Sequence, residues 1–270
     1  MKTHVKMLLR KMPGPRRILR SLDLLLKPPP WNPDALPERR YYSQHGQDRW
    51  VIERVFRKQK YGGYFLEIGA GDGILLSNTY VLEKDFDWNG ILIEPTKAFE
   101  RLRCNRRVHC EHTCIASEPK TLYVVELPAP AYIGEQKDNT LRSITVDAVS
   151  REEASRLALA EFPKDIREQL GELELQIVEQ HAVTLASVLE KYNAPSTIDF
   201  FSLDVEGYEY EVLRTFPFDH YIFSCMVVER PSKPLRRILK AAGYVNVGWG
   251  EDGDIYFIHE SVRASYFQAL

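Results

Sequence analysis

Along the chain from residue 61, short unbroken apolar runs alternate with stretches whose apolar residues recur every three or four positions. The runs fall near 64–68, 91–94, 108–115, 198–204, 222–229 and 255–259. They lack polar alternation, which predicts strands buried on both faces of a parallel sheet. Helical spacing appears near 97–104, 184–192, 208–215 and 233–242, and the last stretch is closed by Gly243, a good C-cap. The turn-rich segment 248–254 precedes the final run and suits a terminal hairpin. Strands alternating with helices predict an α/β fold.

Two regions break the pattern. Residues 127–182 open on a proline-rich loop and continue as a charged, helical stretch around 150–180. They interrupt the sheet topology, and we read them as an inserted lid over the C-terminal edge of the strands. Residues 1–40 form a basic leader with a stiff Pro28-Pro29-Pro30 linker, which sets the domain boundary near residue 40. Its longest apolar run is three residues, short of a signal peptide or a membrane span. An amphipathic helix touching a membrane through residues 1–27 and a short helix packed on its own domain are both open.

Chemistry enters at Tyr64-Phe65-Leu66-Glu67-Ile68-Gly69-Ala70-Gly71-Asp72-Gly73. An apolar run ends in an acid and then in alternate glycines. Glycine lets a strand turn sharply and bring its backbone to a ligand. A pyrophosphate sits on backbone N–H groups and needs no carboxylate in the strand. Glu67 therefore points away from a dinucleotide and toward a ligand with positive charge, such as S-adenosylmethionine (SAM). A second run, Trp88-Asn89-Gly90-Ile91-Leu92-Ile93-Glu94-Pro95, ends in another acid. It lies roughly 20 residues downstream, where an acid accepts hydrogen bonds from ribose hydroxyls.

Charge and cysteines narrow the partners. The leader carries ten Lys/Arg against three Asp/Glu, while the whole chain has a formal net charge of −2. The body is therefore acidic, which argues against nucleic acid as a partner. Cys104, Cys110 and Cys114 cluster around His109 and His112 without a paired C-x-x-C spacing, and Cys225 stands apart. A strand over 108–115 would place Cys110, His112 and Cys114 on one face. That face could hold zinc, although buried structural thiols are the commoner arrangement. Reduced thiols fit a cytoplasmic protein, in which the leader could touch the inner membrane face.

Four motifs occur in order. They are Ser43-Gln44-His45-Gly46-Gln47-Asp48, then Glu67 to Gly73 followed by Ser77-Asn78-Thr79. Next comes Gly90-Ile91-Leu92-Ile93-Glu94-Pro95, and last Ile198-Asp199-Phe200-Phe201-Ser202-Leu203-Asp204-Val205-Glu206-Gly207. Over residues 41–260 the chain resembles the FkbM-type SAM-dependent methyltransferases. The resemblance implies a class I, Rossmann-like methyltransferase fold: a seven-stranded, mostly parallel sheet with its last strand antiparallel. It also implies O-methylation of a hydroxyl on a sugar, a glycan or glycolipid precursor, or another natural product. The alternative is a non-catalytic adaptor on the same fold that binds a partner or a membrane through the basic leader.

On this reading Glu67, Gly69, Ala70, Gly71, Asp72, Gly73 and Asn78 surround the methionine and ribose parts of SAM. Glu94 and Pro95 adjoin the ribose, and Ile115 and Ala116 hold adenine through an apolar side chain and a backbone N–H. Asp204 ends the fourth motif's strand, beside the point where ligands bind in open α/β sheets. Methyl transfer to a hydroxyl needs alignment and an acceptor for the proton. Asp204, Glu206 and His45 are the candidate bases. A Mg²⁺ ion held by Asp204 and Glu229 is the metal alternative, although Arg230 stands where a further acid would help.

Overall fold

The computed structural model describes residues 41–126, 143–161, 175–250 and 253–267. The leader and linker, with the membrane contact expected of them, lie outside the described residues, as do 127–142 and 162–174 of the expected insertion. No described helix is long and apolar enough to cross a membrane.

Among the described residues ten strands form two sheets. The main sheet contains β1 (Tyr64–Ile68), β2 (Asn89–Ile93), β3 (His109–Glu111), β7 (Thr197–Leu203), β8 (Ile222–Val228), β9 (Tyr244–Trp249) and β10 (Ile255–His259). Its order is β3-β2-β1-β7-β8-β10-β9. All neighbours are parallel except β10, the last strand in the chain, which runs antiparallel to both β8 and β9. The central strands are buried along almost their whole length. Alternate residues feed two cores. Leu66, Ile68, Phe201 and Leu203 pack on one face, and Phe65, Leu92, Phe200 and Val227 on the other. Glu67 shares the parity of Phe65, so its carboxylate enters that second layer.

Helices cover both faces. They are α1 (Gln47–Trp50), continued by a π-helical turn over Val51–Val55, α2 (Tyr80–Phe86), α3 (Phe99–Asn105), α4 (Arg151–Glu161) and α5 (Leu185–Lys191). The last three are α6 (Glu209–Leu213), α7 (Lys233–Ala241) and α8 (Glu260–Phe267). Thr184 caps α5 by accepting from the Ser187 N–H at 3.2 Å. Gly243 takes φ +86° just past α7, as its C-cap signal predicts.

Two expectations are corrected. The third strand stops at Glu111 rather than 115, because the chain then leaves the sheet. Thr113 Oγ1 donates to the His181 carbonyl at 2.9 Å, and Ile115 bridges Val183. The insertion is also not simply helical. A second, antiparallel sheet of order β5-β4-β6 is built from β4 (Lys120–Glu126), β5 (Ser143–Val146) and β6 (Gln176–Ala182). Helix α4 packs on it, with Ala154 and Ala158 against Tyr123, Val125, Ile144 and Val146. β6 is largely exposed and polar, so its apolar pattern is too thin to signal a strand.

Candidate active site

A cleft opens at the carboxyl ends of β1, β2 and β7, where ligands bind in open α/β sheets. Its geometry starts with Gly69. At φ +85° a Cβ there would lie 1.9 Å from the Asp204 carbonyl oxygen, so only glycine lets the ends of β1 and β7 meet. The turn is pinned to β2 as well, since the Gly69 and Ala70 N–H groups donate to the Ile93 carbonyl at 3.0 and 3.2 Å. The Asp204 N–H donates to the Ile68 carbonyl at 3.2 Å, which fixes Asp204 beside the turn.

Glu94, which is 4% exposed, follows β2 and holds the turn from the other side. It accepts from the Gly71 N–H at 2.7 Å and the Thr96 N–H at 2.8 Å. Burial pushes its carboxyl upward and the nearby Glu126 adds to this, against the hydrogen bonds from Thr96 and Gly71. Glu67 accepts from Ser77 Oγ at 3.1 Å and the Asn78 N–H at 2.8 Å, and also from Thr79 Oγ1. Burial raises its pKa, opposed chiefly by the Arg106 guanidinium. Glu67 thus organises the loop 77–79 as well as lining the cleft. Asp72 does similar local work, accepting from the Ile74 and Leu75 N–H groups at 3.0 and 2.8 Å.

The structure brings Glu67, Gly69, Ala70, Gly71, Asp72, Asn78, Glu94, Asp204 and Glu206 to one cleft. Other expected residues sit elsewhere. Gly73 packs against Leu102 and Arg106, each within 2.8 Å of a would-be Cβ, so its missing side chain serves packing. The Pro95 carbonyl turns to the second sheet and accepts from Gln180 Nε2 at 2.9 Å. Ile115 and Ala116 are buried, and the Ala116 N–H donates to the Val183 carbonyl at 3.0 Å, so it is not the N–H of this segment that is open to adenine. His45 is not among the cleft-lining residues, and its N–H donates to Gln47 Oε1 at 2.9 Å.

Sequence reasoning passed over several residues at the cleft: Gln47, Thr96, Arg101, Ser143 and Ser202 line it. Ser143 comes from the edge of the second sheet. Gln44 and Gln47 come from the first motif, whose Asp48 is fully buried and accepts from the Tyr42 and Ser43 N–H groups at 2.8 and 3.3 Å. Gln47 Nε2 also donates to Asp254 Oδ2 at 2.8 Å. The first motif therefore forms a wall of the cleft. The signal for it was present, because Gln44 and Gln47 flank His45 in the same run.

On the far side, Asp204, Glu206 and Glu229 offer carboxylate oxygens within 4.8 Å of one another. Asp204 opens to solvent in the cleft, whereas Glu229 is buried. Although the residue keeps accessible surface in the cleft, the protein crowded around its carboxyl, and then the charges of Glu229, Glu206 and Asp254, push the Asp204 carboxyl well above the usual range. Arg230 donates from Nε to Glu229 Oε1 at 2.7 Å and reaches Glu206 Oε2 at 3.2 Å. This donor set does not fit a resident Mg²⁺, because a guanidinium already supplies the positive charge to two of its three acids. The Cys110–Cys114 segment forms no metal cluster among the described residues.

The sequence model of the Methyltransferase FkbM domain matches residues 67–245. The chain belongs to the FkbM methyltransferase family. The match begins at Glu67 in β1 and takes in Glu94 and Asp204, whereas Gln44 and Gln47 of the cleft wall precede it. No curated protein matches the chain. Among solved structures, the METTL16 MTase domain is 11% identical with a TM-score of 0.37, covering 77% of this chain and 64% of that one. The chain thus spans less than two thirds of that structure's length. The human methyltransferase 10 domain containing protein is also 11% identical, with a TM-score of 0.31 and 78% of each chain covered.

Proposed function

We propose that the protein is a SAM-dependent O-methyltransferase acting on a hydroxyl of a sugar, a glycan or glycolipid precursor, or another natural product. One observation carries the cofactor: Glu94 and Asp204 face a single cleft across a glycine turn whose backbone is open to a ligand. Glu94 keeps oxygen lone pairs beyond its two backbone bonds and would take the ribose hydroxyls. The residues present fit SAM. Asn78 lines the cleft, donates to Ser202 Oγ at 2.8 Å, and has a buried Oδ1 with no donor among the described residues. An ammonium group would satisfy that oxygen. SAM supplies an activated methyl when bound, so the chain has only to align the acceptor and take its proton. Asp204 stands at the strand end where that acid is needed, in a floor rich in carboxylates. The hydroxyl acceptor itself rests on the family resemblance.

Isothermal calorimetry tests the reading. SAM and S-adenosylhomocysteine (SAH) bind in the micromolar range, about −8 kcal/mol, and NAD does not compete. Glu94→Ala weakens both ligands by about tenfold or more, because the ribose hydroxyls lose their acceptor. Unchanged affinity in that variant would refute the ribose role. Absence of binding by either ligand would refute the cofactor.

A further inference from the structure

At the ends of β7 and β8 the acids outnumber the bases. Asp204, Glu206 and Glu229 meet within 4.8 Å, and Arg230 ion-pairs with Glu206 and Glu229. Further acids surround the cluster. Asp254 precedes β10 and is tied to Gln47, Glu209 opens α6, and Glu67 on β1 lines the same cleft. The arrangement is held by the backbone, since Glu206, Gly207 and Arg230 all take positive φ, at 52°, 102° and 35°.

A second observation is independent of charge. Glu229 is 8% exposed, and its Oε2 has no hydrogen-bond donor among the described residues. Ionised carboxylates cannot donate. A proton on Asp204 would give Glu229 a donor and relieve the excess of negative charge together. The elevated pKa of Asp204 agrees with this.

SAM carries a fixed positive charge at sulfur. SAH is the same molecule without the methyl and is neutral there. A fixed cation and a proton compete for the same carboxylates, so their binding is coupled. We infer that the Asp204–Glu206–Glu229 cluster holds a shared proton in the free protein and releases it to solvent when a sulfonium enters the cleft. Asp204 is then ionised, and able to act as a base, only when the methyl donor is present. As the acceptor oxygen gains the methyl and the sulfur loses it, the hydroxyl proton passes to Asp204. The cluster returns to its protonated state beside neutral SAH, and each cycle releases one proton. This inference rests on the SAM reading above.

The test needs no acceptor. Titrate SAM and SAH into the full-length protein by calorimetry, in buffers of differing ionisation enthalpy and over a range of pH. About one proton leaves per SAM bound and almost none per SAH, and SAM affinity alone rises with pH through the cluster's titration. Asp204→Asn and Glu229→Gln, checked for folding by circular dichroism, abolish the proton release. Equal proton counts for SAM and SAH overturn the inference and leave SAM binding intact. Proton release that persists in Asp204→Asn overturns it too. Failure of both ligands to bind removes the cofactor reading, and the inference with it.

Discussion

Replacing Arg106 by methionine tests the electrostatics under the cleft. Arg106 follows α3, and its side chain is 0% exposed. It donates to the Gly73 carbonyl at 3.1 Å, Ser77 Oγ at 3.2 Å, the Thr79 carbonyl at 3.3 Å and Thr79 Oγ1 at 3.0 Å, and it pairs with Glu83. Its charge also opposes the burial of Glu67. Methionine keeps the length and apolar stem but removes every donor, so Glu67 loses the charge that opposes its burial and Glu83 keeps only Lys84. Removing one partner from a buried pair costs about 3–5 kcal/mol, and a domain of this size should melt roughly 10 °C lower. The pH dependence has a definite sign. Burial alone would raise Glu83, but hydrogen bonds from Lys84 and Arg106 and the Arg106 charge outweigh it and hold the carboxyl below its usual range. A lowered folded pKa contributes stability above the unfolded value and loses it as pH falls through the folded value. In the variant that contribution shrinks and Glu67 rises further, so the deficit is full at neutral pH and narrows in acid. Urea unfolding followed by circular dichroism at neutral and acid pH measures it. A loss below ~1 kcal/mol at neutral pH, or a deficit that widens in acid, would refute the argument.

Gly69→Ala puts a methyl 1.9 Å from the Asp204 carbonyl at a positive φ, so it destabilises the fold by about 3 kcal/mol or more and weakens SAM binding; a variant with wild-type melting and affinity would contradict the close approach. Glu209 is 3% exposed and holds the Val205 and Gly207 N–H groups at 3.3 and 3.0 Å, and burial raises its carboxyl from 4.5 to about 7. A raised acid pKa means that the folded state loses stability as pH climbs between those values, so Glu209→Gln flattens the pH–stability curve by up to about 3 kcal/mol; an unchanged slope in denaturant titrations across that window would refute it. Asp204→Asn, assayed with an acceptor found by mass spectrometry of extracts incubated with SAM, lowers turnover about a hundredfold; near-normal turnover would leave Asp204 a loop residue only.

The sequence by itself determined the sheet and the cleft's floor. An apolar run has one way to be buried on both faces, and the strand ends of such a sheet are where ligands sit. Glu67, Gly69, Gly71, Glu94 and Asp204 could therefore be placed from local pattern alone, and the structure gathers them. Tertiary structure decided what depends on partners far apart in the chain. Arg106 reads as one more basic residue at a helix end until folding buries it against Glu83, Ser77 and Thr79. Gly73 shares its motif with Gly69 and Gly71, yet faces Leu102 instead of the cleft. The second sheet went unread because β6 pairs by backbone register with β4, across 49 intervening residues, and buries little apolar surface of its own. Arg230 pairs with its neighbour Glu229 and, from another strand end, with Glu206, and both Arg230 and Glu206 take positive φ. Side-chain pairing across strand ends is set by the packed backbone, and a linear pattern of apolar and polar residues carries no record of it.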